Sequence, residues 1–210
     1  SIALGTPDIS LYEVVGAYST FANKGIYIEP IFITRIEDKN GVPIFEVIPK
    51  TSDVLSEEAA YVTLNLMEGV TNYGSGGRLR HSGLEKTSYI YKNLITGYPY
   101  EFKNAIAGKT GTTQNQSDGW FMGMVPNLVT GVWVGGEDRS VHFEDIAFGQ
   151  GATMALPIWA QFMKNAYSNP DLGISDEKFQ SPRVLTIPLN CENINIESEK
   201  TTNDREDLGC

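Results

Sequence analysis

The sequence predicts an α+β fold, in which an antiparallel sheet is flanked by helices. Two apolar, strand-like runs, Gly119–Val125 and Leu128–Gly135, are separated only by a Pro-Asn pair, and so short a connection joins antiparallel neighbours. Amphipathic helical patterns lie before and after these runs in the chain. With 210 residues and 41% hydrophobic content, the chain is long enough for one domain, or most of one.

The first helix is predicted over roughly residues 11–24. Ser10 and Glu13 are spaced as a capping box, in which the serine accepts from an amide of the first turn and the glutamate reaches back. Gly25 is well placed to end the helix. Between these signals, apolar residues repeat at helical spacing at Leu11, Val14, Val15, Tyr18 and Phe21.

A hairpin and a second helix are predicted next. Pro30–Glu37 and Val42–Ile48 are strand-like and flank an Asn-Gly pair, which favours the backbone angles of a hairpin turn. Ser56 then opens a helix that ends near Gly69. One face of this helix is apolar and comprises Tyr61, Leu64 and Met67.

Two loop regions precede the sheet. The glycine-rich run Asn72–Gly77 lacks the strand, lysine and following helix of a phosphate loop, so we expect a flexible loop. Residues 81–104 mix polar and aromatic side chains, and we expect them to form a surface excursion beside a cleft.

The sheet itself is expected to contain three strands, of which Phe102–Thr112 is the first. This run is less apolar than the other two, so it should form an edge, whereas helices should cover both faces of its neighbours. A loop is expected over Phe148–Gly151. Pro157 then starts a helix, whose apolar stripe comprises Ile158, Trp159, Phe162, Met163, Ala166 and Tyr167.

Beyond Ser168 the chain becomes polar. We expect residues 1–168 to form the folded part and residues 169–210 to form a tail that is partly disordered, from about residue 190 onward. Val184–Leu189 is expected to add one extended segment to this tail. The only two cysteines, Cys191 and Cys210, are either incidental thiols or one tail disulfide.

Charge and composition exclude several functions. The net charge of −10 argues against nucleic-acid binding, which needs a basic patch. His81 and His142 lack a metal-ligand spacing, and neither a metal nor a cofactor is expected. No apolar run is long enough to span a bilayer. Because Ser1 reads like the middle of a domain, we expect a fragment whose membrane anchor lies elsewhere.

The central stretch around Lys109 suggests acyl-transfer chemistry. Side chains alternate along a strand, so Thr110 and Thr112 share a face and both hydroxyls can donate to a carboxylate. Lys109 points to the other face and supplies positive potential. Gly111 lets a ligand lie against the backbone, and an edge amide such as that of Thr112 can donate to a developing oxyanion.

These residues and their context resemble the C-terminal part of the transpeptidase domain of class A (bifunctional) penicillin-binding proteins. The similarity is strongest from Ala107 to Met163 and extends to Leu11–Tyr27 and Gly69–Arg80. It implies a partial penicillin-binding-protein or serine β-lactamase-like fold, formed by residues 1–168. That family uses a Ser-x-x-Lys nucleophile, a Ser-x-Asn motif and a Lys-Thr-Gly strand.

The resemblance implies roles for the residues of the strand. Lys109 and Thr112 would be catalytic, the latter through its amide as one oxyanion donor. The terminal carboxylate of a D-Ala-D-Ala stem peptide of peptidoglycan, or of a β-lactam, would be bound by Thr110, Gly111, Thr112 and Thr113. The expected location is the periplasm or the outer face of the cytoplasmic membrane.

Two family motifs are missing or misplaced. No Ser-x-Asn occurs, and the only Ser-x-x-Lys, at Ser175–Lys178, follows Lys109 instead of preceding it. Its acidic neighbours are typical of a helix cap. Tyr91–Asn93 mimics a Tyr-x-Asn variant but lies too close to Lys109. We therefore expect the nucleophile upstream of Ser1, in a missing N-terminal part of the same protein.

Three interpretations remain open at this point. The chain can be part of a peptidoglycan transpeptidase, part of a β-lactamase or β-lactam sensor of the same fold, or a non-catalytic ligand-binding or scaffold module. The region Leu11–Tyr27 is more similar to the synthetic enzymes. A Ser-x-x-Lys followed by a Ser-x-Asn upstream of Ser1 would favour an enzyme, and their absence would exclude it.

Overall fold

The computed structural model describes residues 7–80 and 100–189. The helices within these ranges are α1 (Leu11–Ala22), α2 (Glu57–Asn72), α3 (Ile146–Gly149), α4 (Gly151–Met154) and α5 (Leu156–Tyr167). The strands of the described part of the chain are β1 (Ile26–Ile28), β2 (Arg35–Glu37), β3 (Pro43–Glu46), β4 (Thr51–Asp53), β5 (Ala107–Thr112), β6 (Asp118–Val125) and β7 (Leu128–Gly135). Short 3₁₀ helices span Gly77–Arg80, Gln114–Gln116 and Pro170–Leu172.

The central sheet has the strand order β5-β6-β7, and both pairs are antiparallel. Gly119 lies opposite both Thr112 of β5 and Val134 of β7. Pro126 and Asn127 form the turn between β6 and β7. The predicted α+β class is therefore confirmed, and β5 is an edge among the described strands.

Helices cover both faces of this sheet. Helices α1 and α2 lie on one face, and α4 and α5 lie on the other. Alternate residues of β6 therefore enter different clusters: Met124 packs with Leu64 and Met67 of α2, whereas Phe121 packs with Trp159 of α5. This two-sided burial is what the apolar strand sequences predict.

Trp159 is the centre of the contact between α5 and the sheet. Its side chain is wholly buried and its ring lies edge-on to Phe121, with the centroids 5.3 Å apart. A Cβ atom at position 123 would lie 2.5 Å from the Cζ2 atom of Trp159. Gly123 is therefore needed for the helix to approach the sheet so closely.

The predicted apolar stripe of α5 is too wide. Trp159, Met163 and Ala166 are buried, as expected, but Ile158 and Phe162 are 53% and 50% exposed. The helix contacts the sheet along a narrower line than its apolar residues suggest. The predicted helix start at Pro157 is close, because the helix begins at Leu156.

Two boundaries near the site differ from the predictions. Strand β5 begins at Ala107 and not at Phe102, because the amide of Phe102 donates instead to the carbonyl of Leu79. The prediction of a loop over Phe148–Gly151 is wrong, because α3 ends at Gly149 and α4 begins at Gly151. Asp145 caps α3 through a 2.7 Å hydrogen bond from the amide of Ala147.

The N-terminal elements agree with the predictions. The capping box of α1 is present, with Ser10 and Glu13 bonded reciprocally, and α2 runs three residues beyond Gly69. Strands β2 and β3 form the predicted hairpin, although they are shorter than expected. A second small sheet pairs β1 with β4.

Residues 170–189 pack against the rest of the chain. Phe179 is buried beside Leu64 and Met67, and Glu58 of α2 accepts hydrogen bonds from Thr186 and Ile187. Residues 184–189, which were expected to be extended, form no strand, so they do not join a sheet. The boundary near residue 168 stays a prediction. The predictions for residues 81–99, for Cys191 and Cys210, and for disorder from residue 190 lie outside the described residues.

Candidate active site

The edge strand β5 presents every second backbone amide to the open side of the sheet. The amide of Thr113 donates to the carbonyl of Asp118 across the pair. In an antiparallel pair the residues that bond across the strands alternate with those that point away. The register of β5 and β6 therefore directs the amides of Thr110 and Thr112 towards the open edge.

Lys109 is exposed and lies on the face of β5 that carries Ala107. Ala107 packs with Leu64 and Met67, so this is the face covered by α1 and α2. The Nζ atom of Lys109 donates to the carbonyl oxygen of Thr110 at 2.6 Å. The ammonium group thus lies next to the open edge of the strand.

Thr110 and Thr112 lie on the opposite face of the strand. The Oγ1 atom of Thr110 is 2.6 Å from the Oγ atom of Ser75. The Oγ1 atom of Thr112 accepts a 3.0 Å hydrogen bond from the amide of Gly151 at the start of α4. Because an amide is a donor only, the hydroxyl proton of Thr112 remains available to a ligand.

Gly151 can approach β5 only because it has no side chain. A Cβ atom there would overlap the carbonyl oxygen of Gly111 and would lie 2.5 Å from that of Trp120. Gly111 is also close to its neighbour, since a Cβ atom would lie 3.0 Å from the Cβ of Trp120. The lack of a side chain at Gly151 therefore lets α4 lie directly against β5 and β6.

Thr113 has structural partners of its own. Its Oγ1 atom lies 2.9 Å from a carboxylate oxygen of Asp118 and accepts from the amide of Asp118 at 2.9 Å. It is also 2.9 Å from the hydroxyl of Ser117. These bonds close the loop between β5 and β6, and the predicted role of Thr113 in substrate binding stays a prediction.

The sequence from residue 1 to residue 157 matches the family described as penicillin binding protein transpeptidase domain. The chain belongs to this family. The family expected from the Lys-Thr-Gly strand and its surroundings is thereby confirmed, and the fold of the transpeptidase domain is that of its solved relatives.

Named relatives are considerably longer than this chain. It is 33% identical to penicillin-binding protein 1A of Aquifex aeolicus (strain VF5) over 201 residues, which are 92% of this chain and 24% of that protein. It is 34% identical to penicillin-binding protein 2D of Bacillus subtilis (strain 168) over 186 residues, again 24% of that protein. The chain thus spans about a quarter of the length of these relatives.

Solved structures share this fold. The PonA1 protein of Mycobacterium tuberculosis, in complex with penicillin V, has a TM-score of 0.64 and 27% identity over 88% of this chain and 44% of that chain. Penicillin-binding protein 1A of Haemophilus influenzae has a TM-score of 0.63, with 23% identity over 83% of this chain and 28% of its own.

The transpeptidase domain contains two arginines near the site that sequence reasoning missed. Arg78 is buried, and its Nη1 atom donates to the carbonyl of Ala152 at 2.9 Å and to Oγ1 of Thr153 at 2.7 Å. The loop after α2 is thereby joined to α4. In the sequence the two arginines stand in an Arg-Leu-Arg run directly after the glycine-rich loop. Comparing this region with a phosphate loop gives the arginines no role.

Arg80 supports the chain that leads into β5. Its Nη1 atom donates to the carbonyls of Phe102 at 3.1 Å and Asn104 at 2.6 Å. Burial lowers the pKa of Arg80, and the nearby carboxylate of Glu68 opposes this shift. Burial likewise raises the pKa of Glu68, against the attraction of Arg80.

Ser175 is remote from the site. Its amide donates to Asn127 at 2.8 Å, and Asn127 lies in the turn at the far end of β6 from Gly119 and Thr112. The intervening part of β6 spans roughly 20 Å at the usual rise of a strand. The Oγ atom of Ser175 accepts from the amide of Glu177, so this serine caps a turn.

Neither a membrane-spanning helix nor a metal cluster is found in the part of the transpeptidase domain that the structure describes. None of the helices within residues 7–80 and 100–189 is both long and apolar enough to cross a bilayer. Within the same ranges, no three His, Cys, Asp or Glu side chains converge closely enough to hold a metal ion.

Proposed function

We propose that this chain forms the Lys-Thr-Gly wall of the active site of a serine D,D-transpeptidase, which cross-links peptidoglycan stem peptides and is acylated by β-lactams. The observation on which the proposal rests is the edge of β5, where two threonine hydroxyls share a face and the Thr112 amide points outwards. Membership of the penicillin-binding family supports the reaction class.

The threonines bind the terminal carboxylate of the substrate or of a β-lactam. Thr112 already accepts a hydrogen bond from the amide of Gly151, so its own hydroxyl proton is directed to the ligand. A hydrogen bond from a neutral donor to a carboxylate contributes about 1.5–3 kcal/mol. Two such donors on one rigid strand fix the carboxylate and so orient the reacting carbonyl.

The Thr112 amide stabilises the oxyanion that forms during acyl transfer. The serine Oγ bonds to the carbonyl carbon of the penultimate D-Ala, and the peptide C–N bond breaks. The terminal D-Ala leaves with a proton on its amine. An amino group of a second stem peptide then bonds to the ester carbonyl carbon, the bond from this carbon to the serine Oγ breaks, and a proton from the amine returns to the serine Oγ. A preorganised donor at the oxyanion lowers the barrier to both steps.

The nucleophile is contributed by a segment of the full-length polypeptide outside these 210 residues. No Ser-x-x-Lys precedes Lys109 in this chain, and Ser175 is bonded at the opposite end of the sheet. The amide of the nucleophilic serine supplies the second oxyanion donor. Lys109 adds positive potential beside the edge at which the negative charge of the substrate lies.

The substrate places this reaction outside the cytoplasm. Peptidoglycan is cross-linked in the periplasm or at the outer face of the cytoplasmic membrane, and the proposed reaction takes place there. The acidic net charge of −10 suits a protein whose partners are peptides rather than nucleic acids.

The proposal is tested by labelling the full-length polypeptide with a fluorescent penicillin and mapping the labelled peptide. Label on a serine that precedes residue 1 is expected, and the isolated 210-residue chain should take none. Label on Ser175 would contradict the placement of the nucleophile. Complete absence of label would favour a non-catalytic ligand-binding or scaffold module, whereas rapid hydrolysis of the acyl-enzyme would favour a β-lactamase.

A further inference from the structure

The loop after α2 is held rigidly against the last turns of that helix. The amides of Gly74 and Gly76 donate to the carbonyls of Gly69 at 3.1 Å and Val70 at 3.0 Å. Cβ atoms at positions 74 and 76 would lie only 3.1 Å and 3.2 Å from the carbonyl oxygen of Val70. Ser75 therefore lies between two glycines that pack closely on the helix.

The hydroxyl of Ser75 reaches across to the edge strand. Its Oγ atom lies 2.6 Å from Oγ1 of Thr110, 35 residues along the chain, and either hydroxyl can be the donor. The two arrangements differ chemically. If Thr110 donates to Ser75, its proton is used, whereas if Ser75 donates to Thr110, the proton of Thr110 remains available.

A bound carboxylate selects one of these arrangements. An ionised carboxylate only accepts hydrogen bonds, so Thr110 must donate to it and must then accept from Ser75. Consecutive hydrogen bonds in the same direction polarise and strengthen one another. Thr112 has a comparable donor behind it in the amide of Gly151, so the two threonines of β5 have equivalent support.

The two supporting segments are themselves connected. Arg78 follows Ser75 by three residues and donates to Ala152 and Thr153 of α4, which begins at Gly151. Arg78 thus fixes the position of the loop relative to α4. The two donors that support the threonines, the hydroxyl of Ser75 and the amide of Gly151, are therefore held in a fixed arrangement.

We propose that Ser75 is a positioning residue, which donates its hydroxyl proton to Thr110 so that Thr110 donates to the carboxylate of the ligand. This inference rests on the proposed function and extends it, because it adds a residue outside the Lys-Thr-Gly strand that selects ligands with a free carboxylate. Ser75 does not touch the reacting carbonyl, and it acts only through Thr110.

The test compares a penicillin with its methyl ester, which has the same ring but no anionic carboxylate. Acylation rates of the full-length polypeptide are measured for the wild type, Ser75→Ala and Ser75→Thr. For Ser75→Ala, the rate with the penicillin should fall roughly three- to tenfold, as expected for one hydrogen bond, while the rate with the ester stays within about twofold. Ser75→Thr retains a hydroxyl and should keep both rates.

Controls separate this role from a structural one. Gly77→Ala changes the same loop at a position where a Cβ atom meets nothing within 4 Å, and it should leave both rates unchanged. An equal fall with penicillin and ester in Ser75→Ala, or no fall with either, would overturn the role of Ser75 while leaving the proposed function intact. A wild-type protein that is not acylated by penicillin would overturn both.

Discussion

The Oγ1 atom of Thr71 donates a 2.5 Å hydrogen bond to the carbonyl oxygen of Ile106, the residue immediately before β5. Both residues are fully buried. Arg80 also donates to this threonine, through Nη2 at 3.2 Å. The last turn of α2 therefore holds the start of the edge strand, and the position of the site depends on a buried contact well behind it.

Replacing Thr71 by valine should destabilise the protein by about 1–3 kcal/mol, the cost of leaving a buried acceptor unpaired. Thermal unfolding of the full-length polypeptide measures the change. Thr63→Val is the matched control in the same helix, because Thr63 bonds only the carbonyl of Ala59 one turn earlier, and its effect should be within about 0.5 kcal/mol. Equal effects of the two variants would contradict the importance of the contact with Ile106.

Gly151→Ala should disturb both stability and acylation. The added methyl group would overlap the carbonyl oxygen of Gly111, so α4 must move away and the bond from Gly151 to Thr112 is lost. Overpacking of this kind costs about 1–3 kcal/mol, and misplacing the Thr112 amide should slow acylation by roughly 100-fold. Stopped-flow acylation with a chromogenic β-lactam gives the rate.

Gly69→Ala is the corresponding control for a glycine with free space. A Cβ atom at position 69 meets nothing within 4 Å, and alanine in a helix is more stable than glycine by up to about 1 kcal/mol. Acylation by this variant should match that of the wild type. A similar loss in both glycine variants would show that the contact between α4 and β5 has no special role.

Lys109→Ala should leave the fold intact and slow acylation by roughly 100-fold, the usual cost of removing one preorganised electrostatic group. Lys109 is exposed, so its replacement leaves no cavity in the core. The exposed Lys39, in the turn of the β2–β3 hairpin, provides a control of equal charge change. Unchanged kinetics in a folded Lys109→Ala variant would remove this residue from the mechanism.

The contact between α2 and residues 186–187 should depend on pH through Glu58. Hydrogen bonds from the hydroxyl of Thr186, then from the amides of Thr186 and Ile187, hold the pKa of this carboxyl below its ordinary value of 4.5. A lowered pKa in the folded state means that the stabilisation is present above the unfolded pKa and is lost as the pH falls through the folded pKa.

Glu58→Gln should therefore have a lower melting temperature than the wild type at pH 7, and the difference should shrink as the pH falls below the lowered pKa of Glu58. Glu137→Gln, in the exposed loop after β7, makes the same charge change and should show no such trend. A difference between Glu58→Gln and the wild type that stays constant down to the acid limit would contradict the role of the ionised carboxylate.

The strands of the sheet could be predicted because their sequences leave few alternatives. Gly119–Val125 and Leu128–Gly135 are apolar on both faces and are joined by two turn residues, so antiparallel pairing between covered faces follows directly. The predicted start of β5 was wrong because Leu79 and Arg80, which are far away in the sequence, form hydrogen bonds with the backbone of Phe102 and Asn104.

Helices α3 and α4 were missed because four-residue helices have no apolar period to detect. The Lys-Thr-Gly strand was found from local sequence, and its alternation placed Thr110 and Thr112 on one face. Their supporting donors were not found. Ser75 and Gly151 meet this strand across 35 and 39 residues, and a single sequence contains no signal for such contacts.

The open side of β5 has a consequence for what the site can recognise. The backbone amides of Thr110 and Thr112 point outwards. They are two residues apart, which is the spacing at which backbone groups that point the same way recur in any extended polypeptide. Under the proposed function, a peptide ligand would pair with these groups as a further strand, through its backbone and not through its side chains. Such recognition would tolerate variation along the bound peptide and would leave selectivity to the carboxyl terminus that the proposed function assigns to the threonines.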